Sequence, residues 1–471
     1  MHAIIRFFLW TLILTGGVFI TLAIPSLPVA SNLLWFLSTV LIGGAAALVA
    51  KNCGRGALLL AIPISVLSAN AIVVQIWPPQ VQVNIFRAFN EVAKHDANYR
   101  NLHQHLLPVE RRQLEVPAAL DCGWHAGKHE LDLAKGISLE LFAAGLIKPH
   151  SIVIDSSGVV FVSLPKVGQV VSLHDDDGDA IAERVVIFAA GLDRPSGLAF
   201  KDGVLCVATA TKLFSLADDN NDYCADSQKL ITDKLLAYPQ RWAHALVLGV
   251  DNHLYVSLSG DYKSSSWQQA AVLRVLADGE LQLFSTGLYN CRGLAVHPLS
   301  GSLWATDNSP ETIDYFVHPD ELNVLRAEGD YGWPSCYGNR LPDAKLGSVE
   351  ICQTTVPAIM QLPANSIPSG LAFGAKLHGA DYFKNMLYMS MTGLDSGKRQ
   401  QGFRLMGVPL GSDGRILGWG IDLVSGWSVE GQPWGQPTDC AVGSDGCLYI
   451  TDQLAGGVYR LSFAEQPLPR N

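Results

Sequence analysis

Two acidic loops of nearly the same form contain the residues best suited to metal chemistry. In the first, SLHDDDGDAIAE (172–183), Asp175, Asp177 and Asp179 alternate with other residues, as the carboxylate ligands of calcium do in an EF-hand. The second, SLADDNNDYCAD (215–226), repeats the Ser-Leu pair, the carboxylates and the Ala-acid ending. The bidentate Glu that follows in an EF-hand is missing. Calcium binding and repeated tight turns therefore both remain open, and the repetition favours turns.

The acidic loops belong to a longer repeat. FAAGLIKP (142–149), FAAGLDRP (188–195) and FSTGLYNC (284–291) recur at one and then two periods of roughly 48 residues. Each Gly-Leu is followed by a short apolar strand, a turn and further strands, which makes four strands per unit. This length and pattern are typical of a propeller blade.

Six copies of a strand-turn-strand core predict an all-β fold, a six-bladed β-propeller over residues 136–471. Two cores follow Pro149 and Pro195, and the other four are HALVLGVDNHLYVSL, RGLAVHPLSGSLWATD, SGLAFGAKLHGADYFKNMLYMSM and TDCAVGSDGCLYITD. The last unit has three strands, and a lone strand, GISLELFAAGL, precedes the first core. We expect that early strand to complete the last blade and remove the open edges. Loops inserted after Asp307 and Thr392 are candidates to carry the function.

The apolar residues of the chain, 49% of the total, are concentrated at its N-terminus. Residues 3–24, 33–50 and 56–77 each approach the roughly 20 apolar residues that span a bilayer. Residues 1–77 are therefore predicted to be a membrane anchor of three transmembrane α-helices that precedes the propeller. A cleaved signal peptide is the alternative for the first segment.

Charges in the short loops predict the orientation of this anchor. Lys51 and Arg55 lie between the second and third segments and Arg6 lies near the N-terminus, whereas the other loop is uncharged. Positively charged loops stay in the cytoplasm, so three crossings place everything after Trp77 outside. The prediction is a multi-pass protein of the cytoplasmic (inner) membrane with its C-terminal domain outside that membrane, in the periplasm if the cell is a Gram-negative bacterium. Residues 78–135 are predicted to be a connector, partly helical.

Cysteine placement and net charge fit an extracytoplasmic domain. Of nine cysteines, Cys53 falls in the cytoplasmic loop and the others fall outside, where disulfides form. Cys336 and Cys352 bracket a loop with Gly338 and Pro342 and are the best candidate pair, although sequence alone does not fix the connectivity. The net charge of -10 argues against a nucleic acid partner, because phosphate binding needs clustered cations.

Four stretches carry a resemblance to a known family: GLDRPSGLAF, LWATDN, PDELNVLRAEGDYGWPSCYG and DGCLYITDQLAGGVYRL. Over about residues 136–463 the chain resembles the sorbosone dehydrogenase and soluble aldose sugar dehydrogenase family, six-bladed propellers that use pyrroloquinoline quinone and calcium. The resemblance implies oxidation of a sugar or a related alcohol or aldehyde. Such an enzyme needs a base, a quinone that accepts hydride, cations for the quinone's carboxylates and a calcium ion.

The resemblance also implies a calcium site in TDNSP. Asn308 and the carbonyls of Ser309 and Pro310 would face the cofactor, with Asp320 and Glu321 in the supporting loop. The alternative is a proline-containing turn after a strand.

The base is where this chain departs from the family. There a histidine opens the third blade, with a tryptophan beside it and a basic residue three positions on. Here RWAHALVLG places Arg241 in the histidine's position, next to Trp242, and His244 in the position of the basic residue. Arginine stays protonated and is not an ordinary base. Either His244 reaches the quinone from its shifted position, or the usual route is lost and His244 is a histidine satisfied at a strand start.

The residues expected to contact the cofactor also differ. The family's Arg-Asn pair at the fourth blade is Tyr289-Asn290 here, with Arg292 close by. Thr392 replaces an expected histidine near the fifth blade, and Gln436 replaces an expected arginine before the last blade. The cofactor's carboxylates are thus met by different cations, or not at all.

Three functions follow from these observations. The first is a membrane-anchored quinoprotein that oxidises a sugar or polyol and passes electrons to a membrane acceptor such as ubiquinone. The second is a degenerate propeller that binds a carbohydrate or a protein, which the changes at Arg241, Tyr289 and Gln436 favour. The third is a calcium-dependent lactonase on the same architecture. The retained calcium motif favours the first.

Overall fold

The computed structural model describes residues 108–238, 242–261, 268–310, 318–343, 345–394 and 401–465. Val-, Leu- and Ile-rich segments of three to seven residues, separated by Gly- and Asp-containing turns, form its strands because such segments suit a pleated, buried surface. They assemble into six antiparallel blades, as the repeat predicts. The prediction of an all-β six-bladed propeller is confirmed.

In blades 1 to 5 the four strands follow chain order from the innermost outward, and in blade 6 the outermost strand comes from earlier in the chain. Their bounds are as follows: blade 1, β4 Ile152–Ile154, β5 Val160–Leu164, β6 Gln169–His174 and β7 Arg184–Ala189; blade 2, β8 Gly197–Lys201, β9 Val204–Ala208, β10 Leu213–Ala217 and β11 Ser227–Thr232; blade 3, β12 Leu246–Leu248, β13 Leu254–Leu258, β14 Ala271–Val275 and β15 Leu281–Thr286; blade 4, β16 Leu294–Val296, β17 Leu303–Asp307, β18 Asp320–Val324 and β22 Met360–Leu362; blade 5, β23 Pro368–Phe373, β24 Met386–Met391, β25 Arg404–Pro409 and β26 Ile421–Ser425; blade 6, β29 Pro437–Val442, β30 Leu448–Asp452, β31 Gly457–Phe463 and β3 Ile137–Ala143.

Blade 6 is completed by the early strand β3. It pairs antiparallel with β31, and Ile137 lies opposite Phe463. The two ends of the propeller chain thereby share one sheet, which removes an open edge. The predicted closure is confirmed.

The described part of the predicted connector adds to blade 5. Strands β1 (Val109–Gln113) and β2 (Glu130–Ala134) form a hairpin that pairs with β26. Two 3₁₀ turns, Ala118–Leu120 and Gly123–Ala126, lie between the two strands. This segment therefore widens the fifth sheet to six strands.

A long insertion joins β18 to β22. It contains β19 (Gly329–Asp330), which pairs parallel with β15, the hairpin β20 (Cys336–Tyr337) and β21 (Leu341–Pro342), and helix α1 (Val349–Gln353). The predicted disulfide Cys336–Cys352 is confirmed, with Cα atoms 5.6 Å apart. The other short elements are α2 (Asp381–Lys384), a 3₁₀ turn at Gly374–Lys376, and the hairpin β27 (Ser428–Val429) and β28 (Gln432–Pro433).

Two faces of the propeller are distinguished below. The mouth face is the end at which the innermost strands begin, and the rear face is the end at which they finish and turn. The insertions after Asp307 and Thr392 both leave strands at the mouth face, because they follow the second strand of their blades. Both acidic loops lie on the rear face, between third and fourth strands, as predicted.

Hydroxyl groups join neighbouring blades near the mouth. Ser163 Oγ donates to Ser196 O at 3.1 Å, and Thr451 Oγ1 donates to His150 O at 2.8 Å. Each hydroxyl belongs to the second strand of one blade, and each carbonyl precedes the first strand of the next. These bonds fix the backbone from which the side chains of the mouth project.

In the part of the chain that the structure describes, no helix is long and apolar enough to cross a membrane. The three predicted membrane segments, 3–24, 33–50 and 56–77, lie outside the described residues, so the anchor stays a prediction.

Candidate functional site

One position per blade lies at the start of the innermost strand, or one or two residues before it, at the mouth face. The strand pairings show that these positions are equivalent. In each blade, the residue two positions further along the chain pairs with the third or fourth residue of the second strand. The six residues are His150, Ser196, His244, Arg292, Ser369 and Thr438. Two histidines and an arginine among them give this ring groups that can accept a proton or bind an anion.

Arg292 and His150 come from blades 4 and 1, which face each other across the propeller axis. Arg292 Nη2 donates to His150 Nε2 at 3.3 Å. Because a guanidinium has no acceptor, Nε2 must accept, and the proton of the neutral ring is on Nδ1. Burial, and then the charge of Arg292, lower the pKa of His150 to about 3, although the backbone carbonyl of Ser196 acts in the opposite direction. His150 is therefore neutral at physiological pH.

Asp439 of blade 6 is the third member of this axial group. Its Oδ2 accepts from Ser151 Oγ at 2.9 Å and from Ile152 N at 3.1 Å. Burial raises the pKa of Asp439 to about 6, and the hydrogen bonds and Arg292 only partly offset it. Burial lowers the pKa of Arg292, and Asp439 opposes that shift. A cation, a neutral imidazole and a carboxyl group thus meet near the axis.

His244 occupies the same ring position in blade 3 but is enclosed by backbone. Its Nδ1 lies 2.8 Å from Ser257 O and its Nε2 lies 3.0 Å from Ala210 O. The side chain is 2% exposed, and burial lowers its pKa despite the two carbonyls. In this arrangement both ring nitrogens are engaged by the protein, so neither has a lone pair directed at a substrate.

Arg241, the other predicted catalytic residue, lies outside the described residues. Its neighbour Trp242 has its ring 6.1 Å from the His150 ring, and Arg194 Cζ lies 5.4 Å from the Trp242 ring centre. The tryptophan expected beside the base therefore lies near His150. Sequence reasoning missed His150, although the repeat places it at the position of His244 in the first blade.

The predicted calcium motif begins where β17 ends. Asp307 caps the preceding loop of the same blade, since its two carboxylate oxygens accept from Tyr289 N at 2.9 Å and Asn290 N at 2.7 Å. Asn308 is 1% exposed, and within the described residues neither its Oδ1 nor its Nδ2 has a hydrogen-bond partner. A buried amide is normally satisfied. The side-chain oxygen of Asn308 is therefore available to coordinate a cation.

Buried carboxyl groups also belong to this region. Asp320 Oδ1 accepts from Ser309 N at 2.8 Å, and Glu321 accepts from Gly338 N and, at 3.0 Å, from Asn323 Nδ2. Burial raises the pKa of Asp320 and of Glu321 to about 7. The pKa of Asp307 is also raised well above its usual range, by burial and then by Glu321. Oxygen-rich, acidic surroundings of this kind suit calcium, which would favour the ionised carboxylates.

The predicted cofactor contacts in blade 4 adjoin this motif. Tyr289 is 7% exposed and its ring lies 5.5 Å from that of Trp333, which the insertion brings to the mouth. Asn290 Oδ1 accepts from Ser259 Oγ of blade 3 at 3.1 Å, and the Asn290 carbonyl accepts from Asn308 N. Tyr289, Asn290 and the calcium motif therefore form one continuous region.

The predicted contacts in blades 5 and 6 lie at the same face but bond to the protein. Thr392 Oγ1 lies 2.7 Å from Ser369 Oγ. Gln436 Nε2 donates to Gly393 O at 3.2 Å, and its Oε1 accepts from Gln453 Nε2 at 2.7 Å. Gln436 thus links blade 6 to blade 5 and Thr392 bonds within blade 5, so neither residue replaces the cation that the family pattern leads one to expect.

The acidic loops lie at the opposite end of the molecule. In the first, one oxygen each from Asp175, Asp177, Asp179 and Glu183 lie within 4.8 Å of one another. The same carboxylates accept backbone hydrogen bonds within the loop, such as Gly178 N to Asp175 Oδ1 at 2.7 Å. The loops are thus ordered turns on the rear face and take no part in the mouth.

The six blades define the chain as a six-bladed β-propeller, and the residues described above lie at its mouth. Residues 128–331 match a family described as a domain of unknown function, DUF7133. The chain is similar to an uncharacterised protein of Borreliella burgdorferi, with 20% identity over 71% of this chain and 91% of the relative. It is also similar to aldose sugar dehydrogenase YliI of Escherichia coli, with 27% identity over 40% of this chain and 44% of that protein, less than half its length.

Solved structures share the same architecture. A calcium structure of a Trichoderma reesei carbohydrate-active enzyme of family AA12 matches with a TM-score of 0.62 and 18% identity, over 70% of this chain and 96% of that one. The holo form of the pyranose dehydrogenase PQQ domain of Coprinopsis cinerea matches with a TM-score of 0.61 and 14% identity, over 71% of this chain and 97% of that one. The PQQ-bound aldose sugar dehydrogenase of Streptomyces coelicolor matches with a TM-score of 0.52 and 17% identity, over 70% of this chain and 99% of that one. These structures, each less than 25% identical to this chain, show that it shares their propeller fold.

Proposed function

We propose that this protein is a membrane-anchored quinoprotein that oxidises a sugar or a related alcohol or aldehyde at the mouth of its propeller. The observation that carries the proposal is Asn308, a buried amide without a hydrogen-bond partner among the described residues, which follows the buried Asp307 and precedes Ser309, the donor to the buried Asp320. It lies in a motif of the family resemblance. Relatives with the same fold are described as calcium- or PQQ-containing sugar enzymes.

Asn308 Oδ1 and the carbonyls of Ser309 and Pro310 would hold the calcium ion, and Asp320 supports them by accepting from Ser309 N. Pyrroloquinoline quinone supplies the hydride acceptor when it is bound, and calcium polarises it. Among the predicted contact positions, Arg292 supplies the positive charge for a cofactor carboxylate. Tyr289 and Trp333 offer an aromatic wall beside it.

Two histidines are candidates for the base that removes the substrate hydroxyl proton. His244 is held at both ring nitrogens by backbone carbonyls and would have to leave them. His150 is neutral and lies by Trp242, but its Nε2 lone pair faces Arg292, so a substrate hydroxyl must displace that 3.3 Å contact. The geometry therefore favours His150, acting once Arg292 turns to an anionic ligand.

The membrane anchor and the electron acceptor are also part of the proposal. The three apolar segments of residues 1–77 and the cations of their loops support an anchored protein with its propeller outside the cytoplasmic membrane. Electrons leave to a membrane acceptor, for which ubiquinone is the candidate, or to a carrier that reaches the mouth.

A binding module is the second candidate function. It is favoured by Gln436 and Thr392, whose polar groups already bond to other groups of the protein. Such a mouth would bind a carbohydrate or a protein without turnover.

Titration of the detergent-solubilised full chain with pyrroloquinoline quinone and calcium tests the proposal. We expect calcium-dependent binding with a shift in the quinone's absorption, and reduction of an artificial dye when aldoses are added. No binding at saturating calcium would remove the dehydrogenase and leave the binding module. If the quinone binds but no aldose or polyol is oxidised, the protein has lost the step in which a base accepts the substrate's proton.

A further inference from the structure

Four large apolar side chains of the rear face are the most exposed of their kind in the described residues. They are Val250 (76% exposed), Leu299 (73%), Leu417 (70%) and Trp419 (64%). Val250 and Leu299 lie in the turns after the innermost strands of blades 3 and 4, and Leu417 and Trp419 lie between β25 and β26 of blade 5. We name these four residues the rear patch. Exposed apolar groups gathered on one face mark an interaction site.

Contacts between the three turns bring the residues of the rear patch onto adjacent segments of the rear face. Val250 packs on Gly301, where an added Cβ would lie 2.9 Å from Val250 Cγ2. His297, at the start of the same blade 4 turn, adjoins Gly414 of blade 5, where an added Cβ would lie 2.4 Å from Nε2. The three turns are therefore neighbours on adjacent blades.

Hydrogen bonds order the turns that carry Leu417 and Leu299. In blade 5, Leu410 pairs with Ile416, which packs against the core, and Leu417 N donates to Pro409 O at 2.9 Å. Ile416 thus points inward and Leu417 points outward. In blade 4, His297 Nδ1 accepts from Leu299 N at 3.2 Å. The outward apolar tips are a property of ordered turns.

The chain enters the propeller at this same face. Val109 pairs with Ala134, and Leu133 pairs with Val424, so β1 begins at the end of the blade 5 sheet at which β26 begins. Strand β26 starts at Ile421, two residues after Trp419. The apolar segments that the sequence predicts to cross the membrane precede this point in the chain.

We propose that the rear face of blades 3 to 5 rests on the lipid bilayer in which the N-terminal segments are anchored, with the rear patch inserted among the lipids. This inference rests on the anchor in the proposed function and not on sugar oxidation. Tryptophan and leucine on loop tips suit the bilayer interface. The acidic loops of blades 1 and 2, 175–183 and 218–226, share the rear face, and repulsion by anionic lipids would tilt that side away.

The orientation has a consequence for electron transfer. The mouth face, with Arg292 and Asn308, is directed away from the bilayer, because it is the opposite end of the blades. Substrate then arrives from the aqueous side. An electron carrier that reaches the outward face is favoured over ubiquinone diffusing within the membrane.

Quenching of tryptophan fluorescence by brominated lipids tests the orientation. The full chain is reconstituted into nanodiscs of phosphatidylcholine and phosphatidylglycerol, with and without bromine on the acyl chains. Trp419→Leu keeps an apolar side chain and removes the reporter. We expect a quenched component in the wild-type chain that is absent from the variant, whereas tryptophans elsewhere contribute equally to both. Equal quenching of the two chains would overturn the proposal.

Hydrogen exchange in the same nanodiscs distinguishes other occupants. We expect slower exchange in the turns 249–252, 297–301 and 411–419 than in a chain with Val250, Leu299, Leu417 and Trp419 all changed to serine. The turn at 202–203 of blade 2, on the same face, is the internal control. Slow exchange in these turns without quenching of Trp419 would mean that another segment or a second copy covers the patch, which contradicts the proposal. Release of the chain from membranes by carbonate would overturn the anchor itself.

Discussion

Arg292 Nη2 donates to His150 Nε2 across the propeller axis at 3.3 Å, although 142 residues separate the two in the chain. The contact places a guanidinium against a buried imidazole, and Asp439, held by Ser151 Oγ and Ile152 N, lies in the same group. Burial keeps the histidine neutral, and the arginine's own charge adds to that effect. The mouth of the propeller therefore has at its centre a cation that an incoming anion can attract away from His150.

The buried His150 predicts a characteristic pH dependence of stability. Its pKa is about 3 in the folded chain and near 6.5 when unfolded, so between these values only the unfolded chain binds the proton. Stability is then unaffected above about pH 6.5 and is lost progressively as the pH falls toward 3. In His150→Gln we expect a shallower loss over this window, by up to a few kcal/mol. Denaturant titrations at several pH values measure it, and parallel curves for the two chains would contradict it.

Asn308 predicts a calcium effect that is separable from the fold. Asn308→Ala loses a metal oxygen but no hydrogen bond, so we expect a metal-free melting temperature close to that of the wild-type chain. Calcium should raise the melting temperature of the wild-type protein and fail to raise that of the variant, because a ligand stabilises only a fold that binds it. Asn308→Asp, which retains an oxygen, is the matched control and should keep the calcium effect. A full calcium response in Asn308→Ala would exclude this residue as a ligand.

The closing strand β3 predicts unequal effects of neighbouring substitutions. Leu141 is 1% exposed in the core shared by blades 5 and 6, whereas the neighbouring Glu140 is exposed and pairs with Arg460 at the surface. Leu141→Ala should lower the free energy of unfolding by about 2–5 kcal/mol. Glu140→Ala should cost at most about 1 kcal/mol. Deletion of residues 136–146 should destabilise the whole propeller, and an unchanged melting temperature would contradict the closure.

The disulfide predicts local rather than global stabilisation. Cys336 and Cys352 close a loop with a sequence separation of 16 in the insertion that carries Trp333 to the mouth. Replacing both by serine should lower the free energy of unfolding by at most about 3 kcal/mol. The loss should be concentrated in residues 332–356. Hydrogen exchange should accelerate there and stay unchanged in the strands of blade 1. Uniform acceleration through the propeller would show that the insertion is part of the global unfolding unit.

The sequence predicts most of the fold because its signals are local and repeated. Gly-Leu turns, alternating apolar strands and the lone early strand are sufficient for six blades and their closure. The Cys336–Cys352 pair could also be predicted from the sequence, since turn residues lie between the two. The contact of Arg292 with His150 was not, because it depends on two blades meeting at the axis. The enclosure of His244 by carbonyls of Ser257 and Ala210 likewise requires backbone positions that side-chain identity does not reveal.

The two ring histidines predict different results in the same assay. If His150 is the base, His150→Ala should lower turnover by about a hundred- to ten-thousandfold and leave quinone affinity largely intact, because a general base acts on the transition state. His244→Ala should instead reduce stability through the loss of its two carbonyl contacts, with turnover per folded molecule preserved. Arg241→His, which restores the residue of the resembling family, should raise turnover if the exchange of that position only weakened the enzyme. Dye reduction by aldoses, normalised to bound quinone, measures all three variants. Loss of turnover in His244→Ala with wild-type stability would transfer the role of base to His244.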